Sequence, residues 1–504
     1  MTREFGWTAF GPRPGGHVPP APRDARPELA DVGRLVRRGM RAVVGAARAG
    51  ERMTLAGILV AHLRVDVAAL EVVEEAWPGY EHVNVQAGLD AWLAEPGRSA
   101  ELVGVVGHQH QPFGLGELLA DPDRPGDPYG PRPGTAARVN LACGPDGLVR
   151  PCVRYGIYLV TEGEVRTAVL LRAAAPEFGR DRMSVQVVST DPATATRSAA
   201  GIREAARAHN VFRGQVLSFG QEIFGHGQTL LQFHRRPALR ADQLVLPGET
   251  LAAVQRQVVE VARHKDRLLA AGQHLKRGLL LYGPPGTGKT HTVRYLMSSL
   301  AGTTVIQLTG NALHLIAEAC SVARALQPAM LVIEDVDLIA EDRGIHPGHH
   351  PLLFQLLNEM DGLADDADVV FVLTTNRADL LEPALAARPG RVDQAVALEL
   401  PDATARRALF ELYRGPLEVD TSRMDDVLAR TEGVTASFLK ELLRRAALLA
   451  ATRAGDEERV EVSASDLEAA LDELLDTRNA MTRTLLGAAP AFPAATRPPG
   501  PGLA

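Results

Sequence analysis

The sequence predicts an α/β chain. A parallel sheet with crossover helices is expected over residues 237–402, a small all-helical unit over 403–476, and a helical plus α/β N-terminal region ahead of both. Two observations predict this. Short β-branched apolar runs, Gly278–Tyr282, Thr304–Leu308, Met330–Ile333, Val369–Leu373 and Val396–Leu398, alternate with helical stretches, the pattern of parallel strands joined by crossovers. After Pro401 the periodicity is helical throughout, over Ala403–Tyr413, Met424–Arg430, Ala436–Ala451 and Ser465–Leu475.

The chain ahead of the sheet divides by composition. Residues 1–27 hold six prolines and four glycines, which predicts a disordered arm. Residues 28–120 read as mostly helical, beginning with a basic stretch, 28–49, that carries Arg34, Arg37, Arg38, Arg41 and Arg48. Residues 121–134 contain five prolines and three glycines, a linker or long loop. Residues 135–236 turn α/β, with strands at Gly156–Val160, Val165–Leu171 and Ser184–Ser189, a helix at Ala199–His209 and a run at Val211–Phe219. A proline-rich tail, 477–504, closes the sequence.

With 504 residues the chain has room for several domains, and its net charge of −7 argues against a whole-protein nucleic-acid binder. No apolar run approaches the roughly 18 residues that span a bilayer, and the start lacks the apolar segment of a secretory signal. No membrane association and a cytoplasmic location are expected. Cys143, Cys152 and Cys320 form no CxxC pair and are read as free thiols. His108 and His110, like Cys143 with Cys152, match no metal-ligand spacing and are assigned structural roles. Of 54 basic residues only Lys265, Lys276, Lys289 and Lys440 are lysines, a bias typical of high-GC bacterial coding, so each lysine is a rare choice.

One of the four stands in Gly283-Pro284-Pro285-Gly286-Thr287-Gly288-Lys289-Thr290, a G-x-x-x-x-G-K-[ST] loop between an apolar strand and a helical stretch beginning at His291. Glycines let backbone N–H groups approach a phosphate, and the following helix presents its positive end to the same anion. Lys289 supplies a point charge for the β/γ-phosphates and the Thr290 hydroxyl a ligand for Mg²⁺. Residues 283–291 are the predicted ATP-binding set. The strand Leu331-Val-Ile-Glu334-Asp335-Val-Asp337 ends in carboxylates, which a parallel sheet places at the mouth of that site. One acid can serve the metal through its water shell and the next can activate the attacking water.

These motifs, with Leu357-Asn-Glu-Met-Asp361-Gly362, Leu373-Thr-Thr-Asn376-Arg and Leu381-Glu-Pro-Ala-Leu-Ala-Ala-Arg388-Pro-Gly-Arg391-Val-Asp393, resemble the AAA clade of AAA+ ATPases over about 244–476. The likeness is to the proteasomal and FtsH-type modules. Arg277-Gly278 and the order of the two acids are also similar to the mitochondrial Rieske-protein translocase group. The N-terminal half carries no recognised family pattern. The resemblance implies a parallel-sheet P-loop ATPase domain, a helical lid, ATP and Mg²⁺. Carried over by position, Glu334 takes the metal-associated acid slot with Thr290, and Asp335 the general-base slot. Asn376 becomes the sensor that orients water, and Asp361 the inter-subunit signalling position. Arg388 and Arg391 become fingers to a neighbouring subunit's γ-phosphate, which implies a homo-oligomeric ring, expected to be a hexamer.

The sequence departs from the family at three places. The usual Asp-Glu order is reversed, and Asp335 is one methylene shorter than the usual base. The lid motif, usually Ser-Gly-Ala-Asp, reads Thr435-Ala-Ser-Phe438. After Gly310-Asn-Ala-Leu313 the aromatic pore loop of threading members is missing, and His314, Leu315 and Ile316 are no obvious substitutes. No H-E-x-x-H occurs in the sequence, which argues against an FtsH-like protease centre. His346, His349 and His350 are read as a solvated loop after the acidic strand. The expectation is a ring-forming ATPase that remodels a protein client engaged through residues 28–236, without processive threading. A nucleotide-dependent scaffold or switch with very low turnover, and a nucleic-acid-associated ATPase suggested by the basic stretch, are the alternatives.

Overall fold

The computed structural model describes residues 54–65, 70–107, 113–120, 131–176, 179–221, 229–337, 351–364, 366–379, 392–454 and 460–476. The expectations for the arm at 1–27, the basic stretch at 28–49, His108, His110, the loop histidines, Arg388, Arg391 and the tail lie outside the described residues.

The N-terminal region is built on a six-stranded antiparallel sheet in the order β1-β8-β7-β6-β2-β3. Its strands are β1 (Val73–Pro78), β2 (Arg98–Val106), β3 (Arg132–Gly134), β6 (Tyr155–Glu162), β7 (Val165–Arg172) and β8 (Arg182–Ser189). A separate hairpin pairs β4 (Arg138–Ala142) with β5 (Val149–Val153). Helix α1 (Leu55–Leu63) packs on β7, whereas α2 (His82–Leu93) and α3 (Pro192–Ala208) pack together.

Two strands therefore correct the mostly helical reading of 28–120. In β1 the run Glu74-Glu75-Ala76 favours a helix locally. Pairing with β8 and alternate burial of Val73, Glu75 and Trp77 make it a strand, since strand preference depends on neighbours. Helix α3 begins seven residues before the expected Ala199. The Asp191 carboxylate caps the Thr194 N–H, and Pro192 suits the first turn because no N–H is needed there.

The second sheet has seven strands in the order β10-β9-β12-β13-β14-β11-β15. Here β9 is Val216–Gln221, β10 Thr229–His234, β11 Arg277–Tyr282, β12 Thr304–Leu308, β13 Ala329–Ile333, β14 Val369–Thr375 and β15 Gln394–Ala397. All neighbours are parallel except the β9–β10 pair. Every residue of β13 and β14 is buried, as expected where helices cover both faces. Helices α4 (Lys289–Ser299), α5 (Ile316–Ala325) and α6 (Pro351–Asp361) make the crossovers. Helices α7 (Ala403–Arg414), α8 (Met424–Arg430), α9 (Ala436–Ala454) and α10 (Ala464–Leu475) form the lid around their own core, with Phe410, Phe438 and Leu442 buried within it.

The expected boundary at 236/237 does not separate the two sheets. β9 and β10 come from the chain before it, and β9 adds in parallel to β12. The pattern around 211–219 is apolar enough for a strand, but only pairing partners decide which sheet it joins. Val83, Cys152 and Phe219 share one buried cluster with Ile306, Ile316 and Phe371, and Tyr80 meets Phe219 edge-on at 6.4 Å. The N-terminal region is thus joined to the second sheet by its core as well as its backbone.

Candidate nucleotide site

The glycine-rich loop follows β11 and opens α4. Gly283, Gly286 and Gly288 have φ of +145°, +81° and +103°, conformations that side-chain-bearing residues rarely adopt. A Cβ on Gly283 would lie 2.3 Å from the Leu398 carbonyl oxygen, so only glycine lets the loop pass the end of β15. A Cβ on Gly286 would lie 2.9 Å from Thr435 Oγ1 and 3.1 Å from Ser437 Oγ, and the Ser437 N–H points at the Gly286 carbonyl across 3.4 Å. The departed lid motif is therefore seated directly on the loop.

The Lys289 ammonium is buried and donates to the Gly283 and Pro284 carbonyl oxygens at 2.8 and 2.9 Å. Burial lowers its pKa, and the charges of Asp335 and Asp337 oppose the shift. Among the described residues it makes no ion pair, so its charge faces the loop. Thr287 closes the turn by donating to the Pro284 carbonyl at 2.9 Å. His291 holds the Gln243 carbonyl at 3.2 Å, which ties α4 to the segment ahead of the sheet. Beside the loop lies a cleft of about 570 Å³, walled by residues 245–250, Thr287, residues 394–402, and Ala405, Leu409 and Ala436 of the lid. Its size and mixed lining suit a nucleoside.

The two acids at the end of β13 separate in role. Glu334 is half-buried and lies near the Thr290 side chain. Burial and the neighbouring Asp335 charge raise its pKa, against the opposing charge of Arg294 and the Thr290 contact. Asp335 has φ +52°, a left-handed conformation uncommon for side-chain-bearing residues but one that Asp and Asn enter more readily than most. Its N–H donates to Thr374 Oγ1 at 3.1 Å, and its Oδ1 accepts from Asn376 Nδ2 at 3.3 Å.

The site therefore brings together residues 283–291, Glu334, Asp335 and Asn376 from three separate stretches of sequence. Asp361 ends α6 and is exposed. Asp337, to which no role was assigned from the sequence, is buried, and its Oδ1 accepts from Thr375 Oγ1 at 2.8 Å and the Asn376 N–H at 3.3 Å. Only its position two residues beyond the base could have flagged it.

The donor set fits Mg-ATP. A buried cation faces backbone carbonyls it can exchange for phosphate oxygens. A threonine hydroxyl and a carboxylate, both hard oxygen donors, lie near each other where a magnesium ion would be held. When bound, that ion would neutralise charge on the phosphates.

A parallel sheet carrying such a loop, with acids at the end of the strand next but one and a helical lid beside the cleft, defines a P-loop nucleotide-binding domain. Residues 279–400 match the family "ATPase family associated with various cellular activities (AAA)". The chain is similar to the ATP-dependent zinc metalloprotease FtsH 3 of Symbiobacterium thermophilum, 30% identical over 278 residues that cover 51% of this chain and 44% of the relative. It is also similar to FtsH 2 of Sphaerobacter thermophilus, 37% identical over 230 residues (43% and 34%), and to chloroplastic FTSH 2 of Arabidopsis thaliana, 30% identical over 233 residues (44% and 33%). The AAA match at 279–400 lies on the nucleotide-binding sheet, and this part of the chain is similar to the ATPase modules of those relatives. The chain spans less than half the length of these relatives, and the family match leaves the N-terminal region uncovered.

Two further expectations concern surroundings. Cys152 and Cys320 are buried free thiols, pushed up to about 12 chiefly by burial, and Cys143 is half-buried and free. Among the described residues no helix is long and apolar enough to cross a membrane.

Proposed function

We propose that this chain hydrolyses Mg-ATP in a homo-oligomeric ring, a hexamer, and uses the cycle to remodel a protein client engaged through residues 28–236, in the cytoplasm and without threading. The observation that carries the reading is the convergence of Lys289, Thr290, Glu334, Asp335 and Asn376 at one edge of the sheet. Lys289 holds the phosphates. Thr290 and Glu334 hold the metal. Asp335 takes the proton of the attacking water while Asn376 orients that carboxylate and the water. Arg388 and Arg391 act on the nucleotide of the neighbouring subunit. The relatives are named ATP-dependent zinc metalloproteases. Only the ATP-dependent part of that name is carried over, since H-E-x-x-H does not occur in the sequence.

The absence of threading is supported by the β12–α5 connection. It is a short 3₁₀ helix, Gly310–Leu315, whose Leu313 and Leu315 are buried, as is Ile316 at the start of α5. No aromatic is offered there to grip a passing chain. Work is done instead by shifting the N-terminal regions, which β9 and the shared core couple to the nucleotide sheet. A purified ring should hydrolyse ATP yet fail to unfold a stable fluorescent protein bearing an unstructured tag, measured with a trap for unfolded chains present. Sustained ATP-dependent loss of fluorescence would refute the non-threading mechanism. The short Asp335 side chain favours a second reading, a nucleotide switch with negligible turnover, and a steady-state assay separates the two.

A further inference from the structure

We infer that Asp337 is a positioning residue, which holds Asn376 in register with Asp335 and so sets the geometry of water activation. The inference rests on the ATPase reading for its functional half and on geometry alone for its structural half.

The chain leaves β13 at Ile333 and crosses the end of β14. Three successive residues stitch the crossing. The Asp335 N–H donates to Thr374 Oγ1 at 3.1 Å, the Val336 N–H to the Thr374 carbonyl at 2.9 Å, and Asp337 Oδ1 receives Thr375 Oγ1 and the Asn376 N–H. The Thr375 hydroxyl also accepts the Arg377 N–H at 2.9 Å, which fixes the turn beyond the strand. Asp337 and Thr375 are both buried, whereas Asn376 is exposed. The exposed amide that reaches Asp335 therefore has its backbone tied to a buried carboxylate, and water does not compete for that tie.

The tie has a reason in the shortened acid. An aspartate base reaches one methylene less than a glutamate, so its carboxylate is positioned by backbone more than by rotamer choice. Asp335 is held left-handed, and its partner Asn376 is held from behind. An ångström-scale error in either would separate the pair, and misplacement on that scale costs roughly 10²-fold in rate.

Asn keeps a carbonyl oxygen where Asp337 Oδ1 now accepts, and Ala does not. Hydrogen exchange of the peptide spanning 374–379, measured without nucleotide, should be about 10-fold or more faster in Asp337→Ala and within about 3-fold of the original in Asp337→Asn. In steady state Asp337→Ala should lose about 10-fold or more in kcat with ATP affinity within about 3-fold, and Asp337→Asn should restore most of the rate. Should Asp337→Ala fail to fold, Thr375→Val removes one of the two donors and should give the same split at smaller size. A residue that only stabilises the fold would lower the melting temperature and leave kcat of the folded fraction intact, and that result overturns the inference. Unchanged exchange in Asp337→Ala also overturns it, whether or not the chain hydrolyses ATP. A protein with no turnover refutes the ATPase reading instead, and the exchange measurement still decides the position of Asn376.

Discussion

Asn376 Nδ2 donates to Asp335 Oδ1 across 3.3 Å, joining the residue just past β14 to an acid just past β13. The two lie 41 positions apart in sequence and meet because β13 and β14 are adjacent parallel strands, with β14 running to Thr375, two residues past the partner of Ile333. The ligand-binding edge of an open parallel sheet is where such strand ends gather.

The phosphate loop is tested by its lysine. Lys289→Ala removes the buried ammonium and leaves the Gly283 and Pro284 carbonyls without their donor. Tight ATP binding should be lost, by about 100-fold or more in calorimetric Kd, since charge-assisted phosphate contacts are the strong ones. Affinity within a few-fold of the original would remove the loop from the site.

The reversed acids predict distinct losses. Asp335→Asn should bind ATP normally and lose roughly 10²-fold or more in turnover, the scale of general-base contributions. Glu334→Gln, which alters the carboxylate near Thr290, should instead raise the magnesium concentration needed for half-maximal rate. The opposite pattern would assign the two roles the other way round.

Assembly is tested by mixing. Arg388→Ala and Arg391→Ala chains should bind ATP and hydrolyse it poorly. Mixed with Lys289→Ala chains, which keep their own arginines, they should recover activity at shared interfaces. A chain that sediments as a monomer and keeps full specific activity at every dilution would contradict the ring.

A buried ion pair offers a stability test away from the chemistry. Arg277 opens β11, is 4% exposed, and pairs with Asp368 at 3.2 Å just before β14. Burial lowers the Arg277 pKa, and the Asp368 charge opposes that. Asp368→Ala would strand the guanidinium and should destabilise the domain by about 3–5 kcal/mol, read as a lower denaturation midpoint. Arg277→Met in the same chain should recover much of the loss. Equal midpoints for Asp368→Ala and the original would show that the pair contributes nothing.

The sequence by itself determined the elements whose signal is local. The loop 283–290 is legible because a phosphate cradle needs glycines and one lysine in fixed order. The central strands are legible because burial on both faces leaves unbroken apolar runs, as at Met330–Ile333. The lid helices are legible because each repeats its apolar face every turn, and Met424–Arg430 falls where the periodicity predicts. Tertiary structure alone decided what depends on partners far along the chain. β1 is a strand only because β8 lies beside it, and β9 joins the second sheet only because β12 offers a parallel edge. Asp337 became part of the site through hydrogen bonds to Thr375 and Asn376, partners that its position beyond the base does not name. Local pattern records the surface each residue prefers, whereas pairing between distant segments is settled by which edges and donors remain unsatisfied once the sheets assemble.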